Sequence, residues 1–169
     1  SKNIWYQKHM AHHILEGENM GWIKSMKNCL LIRHPSDVIL SYLKKNEINS
    51  IQQLGYLQQI DIYKMLTRKE GISPIIIDAQ DLLRKPKMIL FEVCKNLRIK
   101  FDDKMLSWPP GNRKTDGIWG KYWYKQVEDS TGFKPYIKIN KIIPLKYQSL
   151  YNECMQYYDF LYQKRIVIN

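Results

Sequence analysis

Arg33 and Ser41 stand eight positions apart in LIRHPSDVILSYLKK, and their types suit a phosphate group. A guanidinium offers parallel N–H donors to an oxyanion, and a hydroxyl on the following helix adds another. If Arg33 ends a strand and Ser41 lies a couple of turns into the next helix, both belong to the crevice where open α/β sheets bind ligands, and the helix dipole adds its positive end. The plainer alternative is that Arg33 pairs with Asp37 and that Ser41 is a tolerated helix residue. A second group, WYQKHMAHHIL, sets Lys8 near the end of a short β-like stretch with His9, His12 and His13 just behind it. Such a cluster is as readily surface decoration. No metal site is expected, because HxxHH has no carboxylate nearby and one loop rarely supplies a whole ligand set. A third group, the Trp- and Tyr-rich run from Trp108 to Tyr124, could stack a purine or wall an acceptor pocket. It could equally form a small core that holds its own loop down.

These groups need a scaffold, and the apolar pattern supplies one. Residues 28–32 are a short apolar run ended by a charge and a proline, which suits a buried parallel strand. Pro35 then opens a helix with Val38, Ile39, Tyr42 and Leu43 as its apolar stripe. A second helix fits 51–70, ended by Gly71. Residues 74–78 form the next strand, and Pro86 opens a helix in which Leu90, Val93, Cys94 and Leu97 recur at helical spacing. This alternation predicts βαβ units and a parallel sheet covered by helices on both faces. Residues 107–133 have no period and read as a long ordered loop, the kind that serves as a lid or binding loop. A Tyr-rich helix over 144–165 closes the chain.

Composition bounds the partners. In 169 residues, 44 % apolar content with 12 % aromatics is ample for one ordinary domain with a real core. The formal charge of +11 attracts anions without choosing among nucleic acid, an acidic surface and a small polyphosphorylated ligand. Lysines are spread from Lys2 to Lys164, the pattern of a solvated surface more than of a binding stripe. Three distant cysteines suggest neither a disulfide framework nor a zinc cage, so a reducing cytoplasm is the expected home. No apolar run approaches the roughly 20 residues that cross a bilayer, so the chain reads as soluble, with no membrane partner.

The segment RHPSDVILSYLKK resembles the one by which sulfotransferases hold the 3′-phosphate of 3′-phosphoadenosine 5′-phosphosulfate, where RxPxDVxxSY is typical. DAQDLLRKP is similar to the family's YEDLxxxP segment, with Asp81, Leu82 and Pro86 in place and Ala79 where relatives carry an aromatic residue that contacts adenine. NRKTDGIWGKYWYKQVEDSTGF is similar to the RKGxxGxW region, with Arg113 and Lys114 matching its basic pair and Thr115 in place of the glycine. Residues 8–133 also look like a bacterial subgroup with a KxMAHH start and a WPPGxRxxDGxWxxYWY centre.

The resemblance implies a three-layer α/β fold of the sulfotransferase and P-loop NTPase type, a parallel sheet flanked by helices. It implies one domain over 1–169, with the 107–133 loop covering the nucleotide site. The co-substrate would be 3′-phosphoadenosine 5′-phosphosulfate, with no metal, and the acceptor a small molecule with a hydroxyl or amine. Arg33, Ser41, Arg113 and Lys114 would hold the 3′-phosphate. Lys8 resembles the family's lysine beside the reacting group, and a nearby histidine would be the base; the usual spacing of two falls on Met10, so His12 is preferred, with His9 and His13 as the others.

Sulfotransferases begin with a strand and a PKxGxT-like loop whose amides cradle the 5′-phosphosulfate. The sequence contains no such loop. The expectation is a chain lacking its first strand and phosphate loop, completed by a missing N-terminal segment or chain, with an exposed strand edge left behind. Two other readings compete: a catalytically silent relative that binds nucleotide or protein, and a basic nucleic-acid-binding module. The second needs only charge and aromatics, not an Arg33–Ser41 pair, and nucleic acid is the disfavoured partner. A P-loop kinase would require a Walker loop and a Mg²⁺ carboxylate, which the sequence lacks.

Overall fold

Short apolar runs bounded by polar residues become the strands. In the computed structural model, which describes residues 4–15, 17–71, 73–111, 128–137 and 140–168, β1 (Cys29–Ile32) and β2 (Ile75–Asp78) pair in parallel, Cys29 opposite Ile75 and Ile32 opposite Asp78. The chain divides into two compact units, Ser1–Ala79 with Ile139–Ile166, and Gln80–Lys138 with Val167–Asn169.

The first unit holds the sheet, α1 (Pro35–Tyr42), α2 (Tyr56–Glu70) and the closing helix, α5 (Gln148–Tyr162). Leu30, Ile32 and Ile76 face a core completed by Ile39 of α1, Leu66 of α2 and Leu161 of α5. Along β1, Leu30 and Ile32 are buried while Cys29 and Leu31 are exposed. Ile166 donates its N–H to Ile76 O at 2.9 Å, continuing the hydrogen bonding of β2 past the end of α5. Along β1, side chains of α2 supply the donors: Gln59 Nε2 reaches Leu31 O at 3.0 Å and the Tyr56 hydroxyl reaches Arg33 O at 2.8 Å. Two backbone carbonyls at the carboxyl end of β1 are therefore satisfied by side chains one helical turn apart.

One expected element splits. The 51–70 helix divides into a 3₁₀ turn, Ile51–Leu54, and α2, because Gly55 between them has φ +80°. Ser50 and Gln53 form a capping box on the turn, so the local sequence starts a helix that Gly55 then ends. The left-handed turn makes room for the N-terminal 3₁₀ turn Ala11–His13: a Cβ on Gly55 would lie 3.2 Å from His12 N and 3.4 Å from Ala11 Cβ. Gly55→Ala is expected to cost about 1–2 kcal/mol, read by urea denaturation, and to raise amide exchange at 11–13. An unchanged midpoint would mean that the close approach is not formed in solution.

The second unit contains α3 (Ala79–Arg84), which starts at its border, and α4 (Pro86–Leu97), opened by Pro86 at the first helical position as expected. The 107–133 loop has a paired stem. Ser107 and Gly132 form an antiparallel bridge, Trp108 N donates to Thr131 O at 3.0 Å, and Gly111 N to Glu128 O at 2.7 Å. Trp108 serves this stem: its indole N–H donates to Ser130 Oγ at 2.9 Å and its ring packs edge-on against Phe133. Arg113 and Lys114 lie outside the described residues.

Candidate functional site at the carboxyl end of the first strand

β1 ends at Ile32, Arg33 follows, and His34 caps α1. The His34 ring nitrogen Nδ1 accepts the Ser36 N–H at 3.3 Å and lies 2.9 Å from Ser36 Oγ, so a side chain takes the first free amide of the helix. Pro35 supplies a helix-ready φ behind it. This short linker fixes where Arg33 leaves the sheet. Its carbonyl is held by Tyr56, and its side chain is exposed, in no ion pair among the described residues.

Asp37 occupies the first turn of α1 and is only 8 % exposed. Its carboxylate pairs with Lys141, which arrives from the segment ahead of α5. The pairing of Asp37 with Arg33, one of the two readings of the sequence, is not what forms. Burial, then the Arg33 charge, pushes the Lys141 ammonium below its ordinary value. Ser41 lies one turn beyond Asp37 on the same side of α1, about 6 Å further along the axis, and is exposed. No hydrogen bond joins Arg33 and Ser41.

Beneath this surface lies a packed floor. Asp78, at the carboxyl end of β2, is 2 % exposed and accepts the Tyr158 hydroxyl at 2.8 Å. The His34 ring packs edge-on against Tyr158 with centroids 5.3 Å apart. Burial, then Lys141, holds the His34 imidazole below its ordinary 6.5, with Asp78 and Asp159 opposing. The site therefore presents an exposed Arg33, an Asp37 carboxylate taken by Lys141, and a histidine whose neutral form is favoured. This is an anion-accepting arrangement.

The N-terminal cluster is built separately. Lys8 is exposed and precedes the Ala11–His13 turn. His9 lies tilted against Trp22, ring centroids 4.9 Å apart, and its Nε2 lies 3.2 Å from Gln7 Oε1. His12 is half-buried, edge-on to His13 at 4.4 Å, and burial followed by the His13 charge lowers its pKa from 6.5. The His12 environment favours the free base. The link to Arg33 runs through two neighbours in sequence: the turn rests on Gly55, and Tyr56 holds the Arg33 carbonyl.

Depressed histidines have a consequence for stability. The unfolded chain takes up protons near 6.5, before folded His12 and His34 do, so stability rises with pH through this window and falls below about 6.5. Thermal melts are expected to be lower at about pH 5.5 than at about pH 7.5, with the difference reduced in His12→Gln/His34→Asn, where Asn keeps a capping acceptor. An equal pH slope in that variant would place the titrating groups elsewhere.

Sequence reasoning did not find Lys141, Tyr56 or the Asp78–Tyr158 pair. The available signal was Asp37 itself: an acid in the first turn of a buried helix calls for a cation, but nothing local says which. Among the described residues no three metal-type ligands converge, and no helix is long and apolar enough to cross a membrane.

The profile of a family described as a sulfotransferase domain matches residues 1–163. Two Arabidopsis thaliana proteins also match, named branched-chain-amino-acid aminotransferase-like protein 1 and protein 2. They are 34 % identical over 161 residues and 32 % identical over 160, alignments that take 95 % of this chain but 29 % and 28 % of theirs. The chain thus spans less than a third of the length of these curated relatives. No solved structure matches it.

Proposed function

The chain belongs to the sulfotransferase domain family, and from that premise we propose that it holds the 3′-phosphate end of 3′-phosphoadenosine 5′-phosphosulfate in a transfer of the sulfuryl group to a hydroxyl or amine of a small acceptor. The observation that carries the reading is the exposed Arg33 side chain at the carboxyl end of a parallel strand, in no ion pair among the described residues while the adjacent carboxylate is taken by Lys141. Arg33 gives the bidentate contact, Ser41 a hydroxyl further along α1, and Arg113 with Lys114 a second pair of cations. The mixed α/β arrangement of parallel strands and helices is compatible with the three-layer, P-loop-like architecture that this role requires.

In the transfer step the acceptor oxygen forms a bond to sulfur as the bond from sulfur to the 5′-phosphate oxygen breaks. The acceptor proton goes to a base, and adenosine 3′,5′-bisphosphate leaves. His12 is the base in this proposal, with His9 second to it because its ring is engaged with Trp22. Lys8 neutralises charge on the bridging oxygen.

The test is release of adenosine 3′,5′-bisphosphate from labelled donor across a panel of hydroxyl and amine acceptors. Lys8→Ala and His12→Ala are each expected to lower acceptor-dependent release roughly 10²–10⁴-fold. Release unchanged in both would remove the N-terminal cluster from the chemistry. Tight bisphosphate binding with no transfer to any acceptor would favour a catalytically silent relative.

A further inference from the structure

One buried carboxylate at the start of α1 is taken by a lysine delivered by the fold, while an arginine four positions before it in the sequence is left exposed. Asp37 is 8 % exposed, so its charge needs a partner. Its amide donates to His34 O at 2.9 Å, which fixes it in the first turn behind the cap residue that follows Arg33. Lys141 takes it, although a guanidinium makes the stronger, forked contact with a carboxylate.

We propose that Lys141 is a positioning residue of the phosphate site: by occupying the Asp37 carboxylate it keeps the Arg33 guanidinium free for an oxyanion. The ion pair also cancels a negative charge that would otherwise face the incoming phosphate. Without Lys141, Arg33 turns to Asp37 and spends its fork there. The identity of the anion rests on the donor-site reading above; the behaviour of Arg33 does not.

The test separates the two. Phenylglyoxal labels accessible arginines, and peptide mass spectrometry reads Arg33 in the full chain without nucleotide. Wild type and Lys141→Arg are expected to label readily, and Lys141→Met to fall at least about fivefold, because a paired guanidinium is protected. The double variant Lys141→Met/Asp37→Asn should label like wild type, since the competing carboxylate is gone. A general loss of stability would expose Arg33 and raise its labelling, so a fall in labelling is not explained by unfolding. Affinity for adenosine 3′,5′-bisphosphate should follow the same order, about tenfold weaker in Lys141→Met and restored in the double variant.

Equal Arg33 labelling in wild type and folded Lys141→Met overturns the proposal. If Lys141→Met does not fold, Asp37→Asn decides: retained labelling supports the proposal and lost labelling overturns it. The labelling pattern without bisphosphate binding in any form would keep Lys141 in this role and retire the donor-site reading instead.

Discussion

Arg33→Ala is expected to weaken adenosine 3′,5′-bisphosphate binding by roughly 2–3 kcal/mol, about 30- to 150-fold, and to leave binding of 5′-AMP nearly unchanged. Charge-assisted hydrogen bonds contribute about 1.5–3 kcal/mol each, and the exposure of Arg33 keeps the total at the low end of what a forked contact can give. Arg33→Lys keeps the charge but loses the fork, so it should fall between wild type and alanine. The difference between the two ligands is the 3′-phosphate alone. Isothermal titration of both ligands against the three forms measures it, and an Arg33→Ala affinity equal to wild type removes Arg33 from the site.

The second large effect lies in the floor that supports this surface. Leu161 is 0 % exposed on α5, the helix that packs against α1, α2 and both strands. Leu161→Ala is expected to cost about 2–5 kcal/mol, from lost burial plus the cavity left behind, a large share of the 5–15 kcal/mol typical of a whole domain. Leu145, 91 % exposed just before the same helix, is the control, and Leu145→Ala should stay within about 0.5 kcal/mol. Urea denaturation of the two variants should separate their midpoints by that margin. Similar costs would mean that α5 does not pack as described.

The periodic parts of this fold were legible from sequence. The apolar runs at 28–32 and 74–78 became Cys29–Ile32 and Ile75–Asp78, Pro35 and Pro86 open their helices, and Gly71 ends α2 in the left-handed conformation. Each rests on a local preference of the backbone or on a short-range apolar pattern, which the sequence states directly. Gly55 shows where local signals fall short. Its neighbours form good helix and even cap correctly, but the break depends on an N-terminal turn packing against it from far along the chain.

The candidate site divides in the same way. Arg33, Ser41, Lys8 and the histidines can be nominated from residue type and spacing. What Asp37 pairs with cannot, because a carboxylate at a helix start accepts either a local arginine or a lysine delivered by the fold, and only tertiary packing brings Lys141 to it. Trp108 is the converse case: a residue that looks suited to a ligand spends its N–H on Ser130 and its ring on Phe133.

The most direct measurement is calorimetric titration of the purified chain with adenosine 3′,5′-bisphosphate and, separately, with 5′-AMP at moderate salt. At least a roughly tenfold preference for the bisphosphate is expected, the advantage of a second phosphate held by arginine. Equal affinity for the two ligands, in a chain shown to be folded, would contradict a 3′-phosphate site at Arg33.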